Sequence, residues 1–583
     1  MADARRDVLE MFRELIELTL LDEGDPQSFR VRAYESAAKA VAAQSVDIGR
    51  LSKQELQEIK GIGKSTADKI RELLETGRVS KVEALRQKFP ASVRALMRVP
   101  GLGPKAVIRL RAELGVQSID DLRKALVDQR LRGLKGFGAK SEEKLIQVLA
   151  RMDAQGSVGR TPISVALPLG NRIVERMLEV PGVKHASVCG SLRRFAETIG
   201  DVDVLVASAD PASVMDALVS MPIVDHVLGR GDAKTSVVTH RGTQIDVRVV
   251  AEHQIGAACM YFTGSKEHNI KLRQRALARG WMLNEYALSE TESGKVIASE
   301  TEEEIYRALG LAFIPPWLRE DTGEIEAAER NALPRPIGDL YGDFHVHTTV
   351  SGDGRSPLED VVAAARARGY RVLAITDHAE GTVSGVSRET FVEQRARFRA
   401  MQETLGDSMT LLHGVELNIG PHGELDYDAE FRASFDFCLA SVHDHFDLDR
   451  AAQTRRIVAA MHDPSVKMIG HLSARMIGAR PGIEVDLDAI FDAAEQTGTA
   501  LEVNGALPRL DLSVDALRRA LPRKVTFVLN SDAHHASELE RARHAARNAE
   551  RAWIEPDRVA NAWDPDRLLA WARGPKRFSL LPS

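Results

Sequence analysis

The sequence has few cysteines, no long apolar run and no secretion signal. Its three cysteines, Cys189, Cys259 and Cys438, are scattered and odd in number, which argues against a disulfide framework and against a cysteine-rich zinc module. No apolar stretch reaches the roughly 18–20 residues that a membrane-spanning helix needs. The N-terminus, MADARRDVLEMF, has neither the apolar core nor the small-residue cleavage site of a signal peptide. These absences predict a soluble cytoplasmic protein.

The chain does have length and an uneven distribution of charge. Its 583 residues suggest three to five domains, at roughly 100–200 residues each, and a hydrophobic fraction of 44% allows each to bury a core. Residues 1–152 carry 29 Lys and Arg against 22 Asp and Glu, although the net charge of the whole chain is −6. A basic N-terminal third is typical of a protein that binds a polyanion, and an acidic remainder suits cation binding, but such asymmetries also arise by chance.

Residues 1–153 have helical periodicity and contain an internal repeat. The turns IKGIGK (59–64), VPGLGPK (99–105) and LKGFGAK (134–140) each precede a helical pattern. One such turn is often only a junction between helices. Three of them predict phosphate binding, because the glycines permit a tight turn and the next helix start offers N–H groups to an anion. The repeats resemble helix-hairpin-helix motifs, which bind the DNA backbone without sequence preference. The predicted DNA-binding residues are Gly61, Gly63, Lys64, Gly101, Gly103, Lys105, Gly136 and Gly138.

Carboxylates in a strand pattern follow, beyond a linker near residues 155–157. Asp201 and Asp203 lie two apart in DVDVLVAS, so both side chains project from one strand face. Asp246 lies in TQIDVRVV, a second strand candidate that could pair beside the first. Three converging carboxylates would hold two Mg²⁺ ions and support phosphoryl transfer, whereas alternating Asp alone is more often a solvated strand face.

Residues for holding a triphosphate precede these carboxylates. Gly190 and Ser191 offer a backbone N–H and a hydroxyl, and Arg194 offers a forked cation. The whole segment CGSLRRFAETIGDVDVLV (189–206) resembles the nucleotidyltransferase signature of family X DNA polymerases. YFTGSKEHN (261–269), followed by Arg273, is similar to the thumb motif of that family. The resemblance implies that Tyr261, Phe262 and Gly264 lie beside the incoming sugar. It also implies that Asn269 faces the incoming nucleotide and that Arg273 faces the template strand.

The resemblance also extends to the N-terminal region. Family X enzymes with deoxyribose-phosphate lyase activity form a Schiff base on a lysine of the helix after the first hairpin. Lys69 matches that lysine, and Tyr34 matches an accompanying aromatic residue. Schiff-base chemistry needs a lysine with a depressed pKa, and a lysine on such a helix is more often a phosphate contact, so both readings stay open.

From Tyr341 onward, short apolar strand candidates alternate with helices, which indicates a β/α barrel-like or doubly wound fold. His, Asp and Glu residues follow the strand ends, where barrel active sites gather. Imidazoles and carboxylates without thiolates suit Zn²⁺, Mn²⁺ or Fe²⁺, and the set is too large for one ion. The series resembles the polymerase and histidinol phosphatase (PHP) domain. The ligands implied by this resemblance are His345, His347, Asp353, His378, Glu416, His443, His471, Asp532 and His534.

Two features depart from the PHP pattern. The family's Ser-Asp-Gly run is interrupted here by Gly352, which shifts Asp353 by one position. His445 and His535 are additional histidines, and we expect them outside the ligand set. The PHP resemblance implies a distorted (β/α)7 barrel that hydrolyses phosphodiesters with clustered metal ions.

Together the motifs resemble a bacterial-type family X DNA polymerase with a C-terminal PHP domain, which implies a multidomain chain of α+β and α/β parts. The predicted organisation is a helical, lyase-like DNA-binding domain (1–93), fingers with helix-hairpin-helix motifs (94–153), a nucleotidyltransferase palm (154–256), a thumb (257–318), a linker (319–338) and a PHP domain (339–583).

The implied function is the filling of short gaps during base excision-type DNA repair. The resemblance implies Mg²⁺ or Mn²⁺ at the polymerase site and two or three Mn²⁺, Zn²⁺ or Fe²⁺ ions at the PHP site. The PHP site would trim 3′ ends as a 3′–5′ exonuclease or cleave at abasic sites. The expected partners are dNTPs and gapped, nicked or primer–template DNA, with no membrane, and the expected state is a monomer. Two alternatives are a PHP nuclease whose polymerase half mainly holds DNA, and a DNA end-binding scaffold. Complete ligand sets in both halves argue against them.

Overall fold

The computed structural model describes residues 2–25, 28–42, 48–99, 101–134, 137–154 and 160–575. The chain divides into two compact units. The first contains Met1–Thr161, Ala166–Cys189 and Thr198–Glu252, and the second contains Pro162–Val165, Gly190–Glu197 and His253–Ser583. Among the described residues, no helix is both long and apolar enough to cross a bilayer.

The N-terminal part of the first unit is helical, as its periodicity predicts. Val8, Phe12 and Leu15 recur on one face of the first helix and are buried. They belong to one apolar cluster that continues to Leu149. The helices on both sides of the predicted domain boundary between residues 93 and 94 therefore share a core. The helices are α1 (Ala2–Glu23), α2 (Phe29–Ala42), α3 (Lys53–Glu58), α4 (Lys64–Thr76), α5 (Ser80–Lys88), α6 (Ala91–Ala95), α7 (Pro104–Leu114), α8 (Ile119–Val127) and α9 (Ala139–Ala154).

The following region is built on a five-stranded sheet. Its elements are β1 (Thr161–Pro162), α10 (Ile163–Leu178), β2 (Val183–Val188), α11 (Gly190–Arg193), β3 (Thr198–Ile199), β4 (Asp201–Ser208), α12 (Pro211–Val219), β5 (Val224–Arg230), β6 (Lys234–Thr239) and β7 (Gln244–Val250). The strand order of the sheet is β2-β4-β7-β6-β5. The strands expected from DVDVLVAS and TQIDVRVV are confirmed as β4 and β7, and they pair in parallel at the centre.

The second unit continues with a smaller mixed region. Its elements are α13 (Ile255–Thr263), α14 (Lys266–Leu277), β8 (Trp281–Leu283), β9 (Leu288–Glu290), β10 (Val296–Ala298), α15 (Glu302–Ala308) and α16 (Glu324–Glu329). Gly256 of α13 lies directly against the chain before α15, since a Cβ added there would be 2.4 Å from the Thr301 amide nitrogen. Only glycine permits this approach of the two backbones.

Residues 319–338, which the sequence suggests as a polar linker, are packed over much of their length. Arg319 and Glu324 are fully buried, and α16 lies within this segment. Glu324 lies 2.7 Å from the buried imidazole of His268. The predicted linker is therefore packed over part of its length, because charged residues that suggest solvent exposure in the sequence are buried with partners in the fold.

The rest of the second unit is a barrel of parallel strands alternating with helices. Its elements are β11 (Gly342–Asp343), α17 (Leu358–Ala367), β12 (Val372–Ile375), α18 (Arg388–Leu405), β13 (Thr410–Asn418), α19 (Ala429–Arg432), β14 (Phe437–Ser441), α20 (Arg450–His462), β15 (Val466–Ile469), α21 (Leu487–Thr497), β16 (Ala500–Asn504), α22 (Val514–Arg519), β17 (Phe527–Asn530), α23 (Ala542–Arg551) and α24 (Pro565–Arg573).

The strands follow one another in chain order from β11 to β17, and the two ends of the sheet approach each other. Val346 bridges Ala533 in parallel, and the His347 amide donates to the Ala533 carbonyl at 2.8 Å. The predicted (β/α)7 barrel is thus confirmed in a nearly closed form. Because helices cover its outer face, its strands are buried apolar runs.

Candidate functional site

The first two glycine turns of the helical region present helix starts without side-chain caps. Gly61 and Gly101 have positive φ angles of 105° and 92°, which favour glycine. Gly63 and Gly103 are the N-cap residues of α4 and α7, and neither helix has a side-chain cap hydrogen bond. The amides of the first helical turn can therefore bind an anion such as a phosphate.

Exposed lysines accompany these turns. Lys64 and Lys105 lie on the first turns of α4 and α7 and face solvent. Gly138 is exposed in the third turn and accepts a hydrogen bond from the Ser141 amide at 2.9 Å. Gly136, predicted in the same turn, lies outside the described residues. The described part of the set has the charge and exposure that a phosphate-binding surface requires.

Lys69 and Tyr34 lie side by side. The Lys69 ammonium is 5.6 Å from the centroid of the Tyr34 ring and donates to the Ser65 hydroxyl at 2.8 Å. Burial lowers the pKa of Lys69. Schiff-base formation requires this direction of shift, because only the neutral amine is a nucleophile.

The three palm carboxylates converge on two parallel strands. Asp203 of β4 is in register with Asp246 of β7. Carboxylate oxygens of Asp201, Asp203 and Asp246 all lie within 4.8 Å of one another. This arrangement brings oxygen ligands together as hard divalent cations require.

Asp246 is the most buried of the three, and two neighbouring side chains donate hydrogen bonds to its carboxylate. The Lys234 ammonium lies 2.5 Å from its carboxylate, and the Gln244 amide donates to it at 2.9 Å. Burial acts to raise the pKa of Asp246, but the hydrogen bonds from Lys234 and Gln244 outweigh it and lower the pKa. Asp246 therefore remains ionised at neutral pH.

Gly190, Ser191 and Arg194 lie on and after the short helix α11. Gly190 has a positive φ of 59°, and its carbonyl accepts from the Arg194 amide at 3.3 Å. The Arg194 guanidinium donates to the Thr263 carbonyl at 2.5 Å and to Glu320 at 3.0 Å. The sequence predicts Arg194 as a phosphate ligand, whereas the structure pairs it with protein oxygens.

The predicted thumb residues cluster around the end of α13. The Asn269 amide donates to the Tyr261 carbonyl at 2.7 Å, and Arg273 lines the same small pocket. The rings of Tyr261 and Phe262 are 5.1 Å apart and nearly perpendicular. Gly264 ends α13 with a positive φ of 69°. These side chains form a half-exposed surface suited to stacking against a sugar or base.

In the barrel, all nine predicted ligands gather at the carboxyl ends of the strands. Glu416 is fully buried at the centre of the cluster. Histidine nitrogens surround its carboxylate at 2.9 Å (His378), 3.0 Å (His471), 3.2 Å (His345 and His443) and 3.5 Å (His347).

The remaining two carboxylates approach the cluster from either side. One Asp532 oxygen lies 3.5 Å from His347 and 3.8 Å from His534. Asp353 lies 3.2 Å from His378 and 3.3 Å from His534. The shift of Asp353 by one position therefore does not remove its carboxylate from the cluster. The additional histidines His445 and His535 are exposed and outside it.

Unsatisfied polar atoms test whether this cluster fits metal ions. Both oxygens of Glu416 and both ring nitrogens of His347 and His443 are buried and have no hydrogen-bond partner among the described residues. Buried polar groups without partners are costly unless something binds them. Nitrogen and carboxylate donors without thiolates fit Zn²⁺, Mn²⁺ or Fe²⁺.

Charge in the cluster is strongly coupled. Burial acts to raise the pKa of Glu416, but the charges of His345, His443 and His378 outweigh it and hold the pKa well below its ordinary value. Burial and the neighbouring charges of His534 and His378 lower the pKa of His347 to about 3. An ionised carboxylate and a neutral imidazole are the forms that bind metals.

Sequence reasoning missed Glu502, which contacts two of the predicted ligands. It is fully buried on β16, and its carboxylate accepts from His345 Nδ1 at 2.7 Å and from the His471 amide at 2.6 Å. It thereby orients two of the predicted ligands. The sequence feature that could have indicated Glu502 is its position as a lone acidic residue inside the strand candidate TALEVN.

Two further buried carboxylates support the ligand loops. Asp343 accepts from the Ser531 amide at 3.2 Å, and burial raises its pKa to about 7. Asp377 accepts from the amide and hydroxyl of Thr348 at 2.7 and 2.8 Å. Each residue ties the start of one ligand-bearing loop to a neighbouring strand end.

Four family models match separate parts of the chain. They are described as a helix-hairpin-helix domain (residues 3–79), a SAM-like helix-hairpin-helix tandem (93–151), a DNA polymerase beta thumb (258–320) and a PHP domain (343–506). The thumb match contains the Tyr261–Arg273 cluster, and the PHP match contains the ligands from His345 to His471.

Several relatives match the chain to different extents. The DNA polymerase/3'-5' exonuclease PolX of Bacillus subtilis (strain 168) is 34% identical over 562 residues, which cover 96% of this chain and 97% of that protein. DNA polymerase lambda of Rattus norvegicus is 25% identical over 332 residues, covering 50% of this chain and 52% of its own length. A probable phosphatase of Shewanella sp. (strain MR-4) is 29% identical over 206 residues, covering 34% of this chain and 77% of its own length. Because the first similarity spans nearly the whole of both proteins, the chain belongs to the family X DNA polymerases that carry a C-terminal PHP domain.

Proposed function

We propose that the chain is a DNA-directed DNA polymerase that fills short gaps in DNA repair, and that its PHP domain is a metal-dependent 3′–5′ exonuclease. The observation that carries the proposal is the presence of two separate, complete ligand clusters, one of carboxylates on β4 and β7 and one of histidines and carboxylates in the barrel. The name of the full-length relative supports the same pair of activities.

In the polymerase site, Asp201, Asp203 and Asp246 would hold Mg²⁺ or Mn²⁺. Such ions, when bound, stabilise the attacking and leaving oxygens of a phosphoryl transfer. Lys234 keeps Asp246 ionised and in place. The backbone and hydroxyl of Gly190 and Ser191 would bind the triphosphate. The Arg194 guanidinium would join them once a triphosphate competes with Glu320 for it.

The thumb residues would select and position the nucleotide. Tyr261, Phe262 and Gly264 would pack on the incoming sugar, Asn269 would face the incoming nucleotide, and Arg273 would face the template strand. The half-exposed aromatic pair and its hydrogen bond to Asn269 support this role, because a rigid surface limits the sugars that fit.

In the PHP site, the nine predicted ligands would hold two or three Mn²⁺, Zn²⁺ or Fe²⁺ ions. Ions of this kind activate water and neutralise a phosphodiester. The role of the chain's own residues is to fix the donors: Glu416 lies between five imidazoles, and Glu502 fixes the ring of His345. Cleavage at abasic sites stays a prediction for the same site.

The basic helical region would bind the DNA backbone. The exposed turns with Lys64 and Lys105 support backbone binding without sequence preference. We propose the predicted division into residues 1–93, 94–153, 154–256, 257–318 and 339–583, with 319–338 as a packed connection.

The test is a pair of variants assayed on the same preparations. Asp203→Ala should abolish primer extension and retain 3′-end degradation, because it removes one carboxylate of the palm cluster alone. His345→Ala should lose bound metal and degradation together and retain extension. Matched controls are Asp216→Ala, at an exposed ion pair with Arg230, and His462→Ala, at an exposed histidine. Both controls should behave like the wild type.

Each alternative function gives a different result. A wild-type protein that degrades DNA but never extends a primer would mean that the polymerase half only holds DNA. A protein with neither activity but tight DNA binding would be an end-binding scaffold. Degradation at the wild-type rate in His345→Ala would remove the nuclease from the PHP cluster.

A second candidate activity is deoxyribose-phosphate lyase chemistry at Lys69. The lowered pKa of Lys69 beside Tyr34 favours it. The Lys69 amine would attack the sugar aldehyde and release water to form an imine, which borohydride reduces to a stable cross-link. Lys69→Ala should lose this cross-link, and Lys53→Ala, at an exposed lysine of the same region, should keep it. Equal cross-linking in both variants would exclude Lys69.

A further inference from the structure

Two neighbouring loops of the barrel carry arginines beside the metal-ligand cluster. The loop after β15 follows His471 and contains Arg475 and Arg480, and the loop after β16 contains Arg509. Hydrogen bonds join the two loops, since the Ile477 amide donates to the Pro508 carbonyl at 2.7 Å. They therefore form one wall at the mouth of the barrel.

Arg475 is fully engaged in holding this wall together. Its guanidinium donates to the Arg509 carbonyl at 2.8 Å and to the Leu510 carbonyl, and it pairs with Glu197 at 2.8 Å. Its hydrogen-bonding capacity is thus used by protein oxygens. Its effect is to fix the backbone that carries Arg509.

Arg509 reaches from this backbone toward the cluster. Its Nε lies 3.4 Å from one oxygen of Asp532, while the other oxygen of Asp532 faces His347 at 3.5 Å. The Nη1 atom of Arg509 is buried and has no hydrogen-bond partner among the described residues. The side chain is about one-fifth exposed. This guanidinium therefore has an unused donor, Nη1, beside the site.

Arg480 lies in the same wall, since the Met476 amide of that loop donates to its carbonyl at 2.9 Å. It is held by stacking on the Phe446 ring, 4.1 Å from the centroid, and by one hydrogen bond to the Ala474 carbonyl at 3.0 Å. No ion pair to Arg480 is present in the described part of the chain. Burial and the positive charge of Arg509 lower the pKa of Arg480.

We propose that Arg480 and Arg509 bind the phosphate oxygens of the DNA strand whose 3′ end enters the PHP cluster. This inference rests on the proposed nuclease function and assigns its strand-binding residues. The forked guanidinium matches two oxygens of one phosphate, and contacts to phosphate alone suit degradation that ignores sequence. The competing account is that Arg509 only balances the charge of Asp532.

The experiment uses full-length protein and the variants Arg509→Ala and Arg480→Ala. Arg397→Ala is the matched control, because it removes the same charge from an exposed ion pair with Glu359 on the barrel surface. Three quantities are measured for each: bound metal, the Kd for inorganic phosphate, and KM and kcat for 3′-end degradation. The substrates are an unmodified oligonucleotide and a set that each carry one neutral methylphosphonate linkage near the 3′ end.

We expect both arginine variants to keep their metal. The Kd for phosphate and the KM should each rise by at least about tenfold, as the loss of a charge-assisted hydrogen bond predicts. One methylphosphonate position should raise KM for the wild type and for Arg397→Ala but have no further effect on Arg509→Ala, because the linkage and the arginine form one interaction.

Two results would overturn the assignment. The first is a loss of metal in Arg509→Ala with unchanged KM and phosphate affinity, which would leave Arg509 as the counter-charge of Asp532. The second is an equal methylphosphonate penalty in wild type and variant. If the wild type degrades no oligonucleotide, the proposed nuclease function fails, and the phosphate Kd values of wild type and variants still decide the role of the arginines.

Discussion

Replacing Glu502 by Gln should weaken metal binding in the barrel although Glu502 is not one of the predicted ligands. One carboxylate oxygen accepts from His345 Nδ1 at 2.7 Å and from Asn530 at 3.0 Å, and the other accepts from the His471 amide at 2.6 Å and from Asn504 at 3.1 Å. All four partners are donors. A glutamine amide would therefore direct N–H groups at donors whichever way it is turned.

The magnitude follows from these contacts. The substitution removes two hydrogen bonds to a charged acceptor, each worth about 1.5–3 kcal/mol, and leaves the tautomer of His345 unfixed. Loss of a partner that orients a metal-binding histidine usually costs about 10–100-fold in metal affinity. We expect a loss in this range for Mn²⁺, equivalent to about 1.4–2.7 kcal/mol.

The assay is a calorimetric titration of metal-stripped protein with Mn²⁺, together with thermal unfolding of the metal-free form. Glu359→Gln, at an exposed glutamate of α17, is the control for a lost carboxylate. Nuclease activity of Glu502→Gln should be lost at limiting Mn²⁺ and return at saturating Mn²⁺, and primer extension should not change. Wild-type Mn²⁺ affinity in a folded Glu502→Gln protein would refute the reasoning.

Three other outcomes are expected. Gly354→Ala should reduce nuclease activity and metal content, because its Cβ would lie 1.7 Å from the Thr348 carbonyl oxygen, whereas Gly352→Ala, with its nearest neighbour at 3.4 Å, should stay close to wild type; equal effects on bound metal would contradict this. Burial acts to raise the pKa of Glu302, but the charges of Arg319 and Arg193 lower the pKa to about 2. The ionised Glu302 should therefore stabilise the fold fully above about pH 4.5, and this stabilisation should be lost as the pH falls toward 2. The difference in unfolding temperature between wild type and Glu302→Gln should shrink over that range. DNA affinity should fall by about tenfold or more between 50 and 200 mM salt, because phosphate contacts release counterions; an affinity independent of salt in a binding titration would exclude backbone contacts.

The barrel was predictable from sequence because each of its strands has a simple signature. A run such as VLAI or FVLN is buried on both faces, and a predicted ligand follows it within three residues. Parallel strands bring their carboxyl ends to one side, so residues that follow the runs must converge. The same reasoning applies to the palm, where Asp203 and Asp246 occupy matching positions on paired strands.

Other features depend on partners that are remote in the chain. Arg194 has the type and spacing of a phosphate ligand, but its guanidinium meets Glu320, more than a hundred residues away. Glu324 belongs to a segment with the composition of a linker, yet it is buried against His268. Composition describes the average exposure of a segment and gives no information on which single charged residue finds a buried partner.

Asp353 illustrates how local backbone geometry decides what spacing leaves open. The inserted Gly352 breaks the pattern of the motif, and spacing alone therefore makes the carboxylate a doubtful ligand. In the structure, Gly354 packs so closely on the Thr348 carbonyl that no side chain fits, which fixes the turn on the C-terminal side of Asp353. The extra residue is accommodated on the other side, where the Gly352 amide donates to the Ser384 carbonyl at 3.1 Å. The carboxylate is thus delivered within 3.2 Å of His378 despite the insertion. The position of Asp353 is therefore determined by the tight contact of Gly354, and the spacing of the residues before Asp353 does not reveal that contact.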